Sequence, residues 1–405
     1  MLGTLRVYAL DTGQQIFYDN IKSLKVSNSS DFMAPPIITL NGNDKLNVNF
    51  DLLEESPIYL KYRILHCNAN WQPSQLLESE YIYGFNEFEV DDFAYSSNTY
   101  MHFINYNISI PDESTKFLVS GNYLLQVYPE ENPDDILLQI RFAVSEQSIH
   151  TSGEVSSITD KGSNTLYQQL TLLINLPDVR GIDPFQDIVV IIEQNNRPET
   201  EKIINRPFRV SNNNLIYEHL PELIFEAGNE YRRFETVRTD YAGMHVDSVK
   251  FSNGIWHAWL QKDFPRLEKE YIFDSTQFGR FKIDEYNSTN PDLSSDYINV
   301  NFSLGTDDLI DGEIYVEGEF TNHQLDERYR LKYDPFNDSY NLSLLLKQGS
   351  YNYQYIVKKP NESSSSRLIE GNKYETGNEY LIKVFYSKPG SRADRLISSR
   401  TIRNR

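Results

Sequence analysis

Hydrophobic and polar positions alternate along most of this chain. Residues 59–67 (YLKYRILHC) place Leu60, Tyr62, Ile64 and His66 on one face and Lys61 and Arg63 on the other. A period of two predicts a half-buried β-strand. The chain then turns at Asn68-Ala69-Asn70, where Asn accepts turn conformations cheaply. Trp71 follows, a second turn runs through Gln72-Pro73-Ser74, and an aromatic return through Tyr81, Ile82 and Tyr83 ends at Gly84. The whole unit reads as part of one sandwich face.

The same pattern divides the rest of the chain. Strands are predicted over residues 16–26, 37–40, 46–53, 85–93, 100–110, 123–128 and 136–144. Asn41-Gly42-Asn43 between two of them predicts a hairpin. A polar, Ser-rich stretch over residues 145–163 reads as a connector, and NSTNPDLSS at residues 287–295 as a second one. Between them, residues 166–176 alternate, and residues 187–193 form a continuous apolar run that predicts a strand buried on both faces. Residues 220–225 predict one helical turn. Beyond the second connector, residues 297–304, 313–320, 329–333, 340–346, 351–358 and 380–387 alternate again. The expected architecture is all-β: three tandem immunoglobulin-like or early-set β-sandwiches, with domains at 1–147, 148–290 and 291–405.

Composition supports this class. The chain has 405 residues, room for two to four domains, and its 28 Tyr and 22 Phe favour strands. The net charge of −20 repels phosphate backbones, so nucleic-acid binding is not expected, nor adsorption on anionic membranes. No segment approaches the apolar length of a membrane span. The opening MLGTLRVYAL does not read as a signal peptide, because Arg6 interrupts a short apolar run and Asp11 ends it. The single cysteine, Cys67, cannot form an internal disulfide and reads as a small buried side chain.

Catalytic patterns are missing from the sequence. The seven histidines form no HExxH pair or close cluster, and there is no nucleophile elbow or phosphate-cradling glycine loop. Asp307-Asp308-Leu309-Ile310-Asp311-Gly312 lacks the alternating ligands of a calcium loop and reads as a surface turn. No enzyme activity and no cofactor are expected. Trp71, Tyr81, Tyr83 and Phe85 are the candidates for a partner-binding surface, since aromatic side chains at turns and rims anchor protein contacts. For Trp71 the alternative is a cap on the sandwich core.

The string CNANW at residues 67–71, followed by Pro73-Ser74 and EYIYG at residues 80–84, resembles the plug proteins of the type IX secretion system of Bacteroidota. Further strings of the same resemblance are SSNTY (96–100), SGNYLL (120–125), RFAV (141–144), Gln194-Asn195, AGNEYRRF (227–234) and RADRLI (392–397). The resemblance implies a periplasmic, non-enzymatic protein, monomeric in itself. It implies a partner, the giant outer-membrane barrel translocon, whose periplasmic opening the protein would seal from the inner face of the outer membrane. A second resemblance lies in YVEGEFTN (315–322) and QGSYNYQYIV (348–357), similar to early-set sandwiches shared with glycogen-binding modules. It implies glycan binding as the alternative function. His323 stands where those modules carry a stacking aromatic, and residues 291–405 contain no Trp.

Overall fold

The computed structural model describes residues 13–176, 182–306 and 309–404. The readings made at Arg6, Asp11, Asp307 and Asp308 lie outside the described residues. The chain forms three β-sandwiches with three main hydrophobic cores.

The first sandwich packs two sheets. One runs, in spatial order, Gln15–Ile16, Leu138–Ser145, Gly121–Pro129, Leu60–Cys67 and Phe88–Glu89. The other runs Ile21–Asn28, Leu46–Leu52, Ile104–Ile110 and Asp92–Tyr95. The alternation of Leu60–Cys67 is realised: Leu60, Tyr62, Ile64 and His66 are buried, and Lys61 and Arg63 are half-buried. The hairpin expected at Gly42 does not form. Ile37–Thr39 pairs in parallel with the end of Leu138–Ser145, whereas Leu46–Leu52 pairs with Ile21–Asn28 and Ile104–Ile110. The segment therefore crosses from one sheet to the other. Asn41 takes the left-handed conformation (φ 59°), and a Cβ on Gly42 would meet Thr39 Cβ at 2.8 Å.

The second and third sandwiches are interleaved along the chain. In the second, one sheet contains His150–Ser156, Tyr167–Asn175, Asn214–Tyr217 and Arg209–Ser211. Its facing sheet runs Lys202–Ile204, Ile188–Gln194, Glu379–Tyr386 and Arg395–Arg403. The last two strands of the chain thus complete the second core, where Tyr380, Ile382 and Val384 join Leu172, Ile174, Ile188 and Val190. The third sandwich is inserted between. Arg232–Glu235 pairs with Gly349–Lys358, and Ile255–Leu260 lies parallel to Tyr297–Gly305. The division expected at residue 290 would cut through both of these pairings. Pro221–Leu223 is a single 3-10 turn in the expected helical stretch.

The apolar run of Ile188–Gln194 is buried on both faces for a physical reason. Ile188, Val190 and Ile192 point into the second core. Ile191 points the other way and packs with Ala69 and Ala143 of the first sandwich, together with Phe385 and Leu396. The two sandwiches therefore share an apolar seam as well as polar contacts.

Candidate partner-binding site

The strings that carry the family resemblance sit where the sandwiches meet. Trp71 N donates to Asn68 O (2.9 Å) and Asn68 N to Gln72 O (2.8 Å), closing a turn in which Trp71 itself is left-handed (φ 63°). The hairpin end of the second sandwich docks on this turn. Ala69 N donates to Asp394 Oδ2 (3.0 Å), and Asp394 N donates to Asn68 Oδ1 (3.1 Å). Arg392 forks onto Glu80 (2.8 and 2.7 Å) and also donates to Gln75 O (2.7 Å). Arg395 forks onto Glu146 at 2.7 Å for both bonds, and Ser120 Oγ donates to the same carboxylate. Bidentate pairs of this kind fix orientation as well as distance. Gly121 (φ 149°) is required here: a Cβ would stand 2.4 Å from His66 Nε2 and 3.2 Å from Asp394 O.

A second set of strings builds the joint between the second and third sandwiches. Asn378 Nδ2 donates to Ala227 O (2.8 Å), Gly228 N to Asn372 Oδ1 (3.0 Å) and Asn229 Nδ2 to Glu370 O (2.8 Å). Just inside the third sandwich, Arg232 bridges the buried Asp263 (2.6 Å) and Glu370 (3.0 Å), and the Tyr353 and Tyr355 hydroxyls donate to Asp263 (2.7 and 2.8 Å). Burial alone would raise the Asp263 carboxyl. His245 Nε2, 3.2 Å away, and the charge of Arg232 outweigh it and hold the group at about 2. Burial would raise Glu370 too, but Arg232 and Arg266 hold it low.

The first and third sandwiches are joined by a buried ion pair. Lys347 Nζ lies 2.6 Å from Asp51 Oδ2, and Tyr297 OH donates to the same oxygen (2.7 Å). Asn105 Nδ2 donates to the other carboxylate oxygen (2.7 Å). Burial pushes the Asp51 carboxyl up, against the pull of Lys347. Nearby, Tyr100 N and Met101 N donate to Asp296 (3.0 and 3.2 Å), and Ser97 N to Leu293 O (2.9 Å). Lys25 and Glu319 pair across the same interface.

The structure separates the four aromatic candidates. Trp71 is 9% exposed; it packs with Cys67 and Leu124, and the Arg141 guanidinium lies 4.3 Å from its ring centre. Tyr81 is 5% exposed, and its hydroxyl donates to Ile64 O (3.0 Å). These two serve internal packing, because their rings are covered inside the fold. Tyr83 is 60% exposed and Phe85 is 91% exposed. They lie beyond the four-residue helix Glu78–Tyr81 and are exposed together with Leu77 and Leu118, which the sequence pattern did not single out. Leu118 is brought there by pairing, since its N–H donates to Tyr81 O (2.9 Å). That long-range contact left no local signal.

Chemistry-bearing groups elsewhere are engaged in structure. Burial pushes the Cys67 thiol up to about 12, away from a nucleophilic thiolate. His323 does not offer a stacking face: it is largely buried, and its Nδ1 meets Glu317 Oε1 at 2.5 Å. Among the described residues no group of His, Cys, Asp and Glu is placed to hold a metal ion. No helix among them is long and apolar enough to cross a membrane.

The first sandwich has a counterpart among known families. Residues 21–146 match the family described as type 9 secretion system plug protein 1st domain. The chain is similar over its length to the crystal structure of a hypothetical protein from Parabacteroides merdae ATCC 43184. The two are 38% identical with a TM-score of 0.94, over 97% of this chain and 99% of that one. A Pseudomonas fluorescens alkylpurine DNA glycosylase aligns at only 16% identity over 31% of this chain and 30% of that one, with a TM-score of 0.19, and does not share its fold. No curated protein matches the chain.

Proposed function

For a chain that belongs to one family with the Parabacteroides merdae protein and carries the first domain of the type 9 secretion system plug proteins over residues 21–146, we propose a non-enzymatic plug role in type IX secretion. The protein binds the periplasmic opening of the outer-membrane barrel translocon. It seals that opening from the periplasmic side while cargo leaves by another route. The observation that carries this reading is the match of the first sandwich to the plug first domain.

Two physical features support it. The joints are closed by the buried Lys347–Asp51 pair, by the Arg392 and Arg395 forks and by side chains bonded to backbone, so the three sandwiches act as one stiff body. A stiff body loses little conformational freedom on docking, which leaves more of the contact energy as affinity. The net charge of −20 steers the protein toward a basic surface, so docking weakens as salt rises. The early-set resemblance of the third sandwich brings no comparable support for glycan binding, because His323 is occupied by Glu317.

The test is affinity purification of the tagged protein from the outer membranes of its own cell, followed by mass spectrometry. The reading expects a very large barrel protein in the eluate, in amounts that fall as the wash salt is raised. An eluate free of such a barrel, from a sample in which the tagged protein is folded, would refute it.

A further inference from the structure

Phe85 stands out from its surroundings. It is 91% exposed, yet the loop that presents it is pinned on both sides. Asn86 clamps the backbone of Ile64: Ile64 N donates to Asn86 Oδ1 (2.9 Å), and Asn86 Nδ2 donates to Ile64 O (2.6 Å). The Tyr81 hydroxyl donates to that same carbonyl (3.0 Å). On the other side Ile82 and Tyr83 are held by pairing with Phe117 and Lys116, and the chain leaves this pairing through the left-handed Gly84 (φ 89°). Among the described residues, no aromatic or cationic side chain stacks on the Phe85 ring. The exposed Tyr100 differs, because its ring rests on Phe251 with centroids 4.4 Å apart.

The side chains around Phe85 extend the apolar surface. Tyr83 is opposite Lys116 in a two-stranded pairing, and Lys116 Nζ lies 5.8 Å from its ring centre. Leu77 and Leu118 are exposed as well. The surrounding charge is mainly acidic. Glu78 accepts from Asn86 (3.2 Å) and Glu113 is exposed on the turn beside Gly84, while Glu87 is paired with Lys61 (2.8 Å). An exposed aromatic on a held loop, with apolar neighbours and a charged rim, has the anatomy of an interface hot spot.

We propose that the corner formed by Leu77, Tyr83, Phe85 and Leu118 is the docking anchor for a partner protein that offers an apolar pocket rimmed by basic side chains. Phe85 enters the pocket. The clamp at Asn86 and Ile64 means that the loop carrying the ring is already held before contact, and Glu78 and Glu113 face the basic rim. This inference rests on the docking role proposed above, and it assigns that role to one end of the first sandwich.

The experiment places the photocrosslinker p-benzoylphenylalanine at position 85 of the full chain in its native cell, and in a second strain at position 336. Phe336 is a similarly exposed aromatic on the third sandwich. The expected result is an adduct with the translocon barrel from position 85 and none from position 336. Adducts from 85 only with proteins other than the barrel would overturn the corner as the docking anchor. A translocon adduct from 336 but not from 85 would overturn the corner and keep the plug reading. No adduct from 85 with any protein would also overturn the corner. In parallel, Phe85→Ala is expected to lower the barrel recovered by affinity purification by about tenfold or more, as hot-spot truncations do, with thermal stability unchanged. Equal recovery from Phe85→Ala and wild type would overturn the proposal.

Discussion

Lys347 and Asp51 lie 2.6 Å apart at the meeting of the third and first sandwiches, and neither side chain is more than 1% exposed. The pair is completed by Tyr297, which donates to Asp51, and by the Asp292 carbonyl, which accepts from Lys347 at 2.5 Å. The centre of the Phe103 ring lies 4.0 Å from the ammonium. A buried pair satisfied this fully works as an alignment device: each partner is costly to leave alone, so the two sandwiches have one favourable register. Lys347→Met is expected to destabilise the protein by about 3–5 kcal/mol, because Asp51 would remain buried without its cation. Lys347→Met combined with Asp51→Asn should recover much of that loss. Thermal unfolding of the two single variants and the double variant measures the coupling.

The first and second sandwiches are held by shorter-range contacts that can be cut one at a time. Asp394→Ala removes the carboxylate that accepts from Ala69 N and is expected to cost about 1–3 kcal/mol. Hydrogen exchange should then speed up at the Ala69 amide while Leu124 and Leu125, inside the first sheet, keep their protection. Equal acceleration at both places would mean that the joint and the sandwich core unfold together.

Acid should weaken the third sandwich where Arg232 bridges Asp263 and Glu370. Against the opposing effect of burial, His245 and the charge of Arg232 hold Asp263 at about 2, below its ordinary 3.8. A carboxyl that is lower in the folded state contributes stability above its unfolded value and loses it as pH falls through the folded value. The contribution is roughly 2 kcal/mol, complete above about pH 5 and lost toward about pH 2. Thermal midpoints measured across that window should fall steeply for the wild type. Asp263→Asn should start lower at neutral pH and decline less.

Cys67 gives a probe of the first sandwich. Its thiol is buried and pushed up to about 12, so a thiol reagent at neutral pH should leave the native protein unmodified. Labelling should rise only with denaturant, along with loss of the native fold. Rapid labelling under native conditions would contradict the packing of Cys67 against Trp71 and Leu124.

Strands were legible in the sequence wherever one face is buried, as in Leu60–Cys67, because the period of two is set by the core beneath it. Pairing was not legible. Nothing local to residues 379–403 says that they close the second sandwich against Ile188–Gln194, since partners so far apart in the chain leave no mark on composition. The double burial of Ile188–Gln194 was visible as an unbroken apolar run, but not that Ile191 meets Ala69 and Ala143 of another sandwich. The aromatic candidates divide for a related reason. Trp71 and Phe85 look alike as single letters near turns. Trp71 is roofed by Arg141, from a strand distant in sequence, while Phe85 stays open to solvent.

The central claim is that this chain seals the translocon from the periplasmic side, and permeability of the outer membrane tests it most directly. Uptake of a large solute that the intact outer membrane excludes would be measured in cells lacking this chain, with and without the translocon barrel. The account predicts that loss of the chain raises uptake while the barrel is present, that wild-type protein restores the seal, and that the effect disappears when the barrel is also deleted. Unchanged uptake on loss of the chain in barrel-containing cells, or a rise that persists without the barrel, would contradict it.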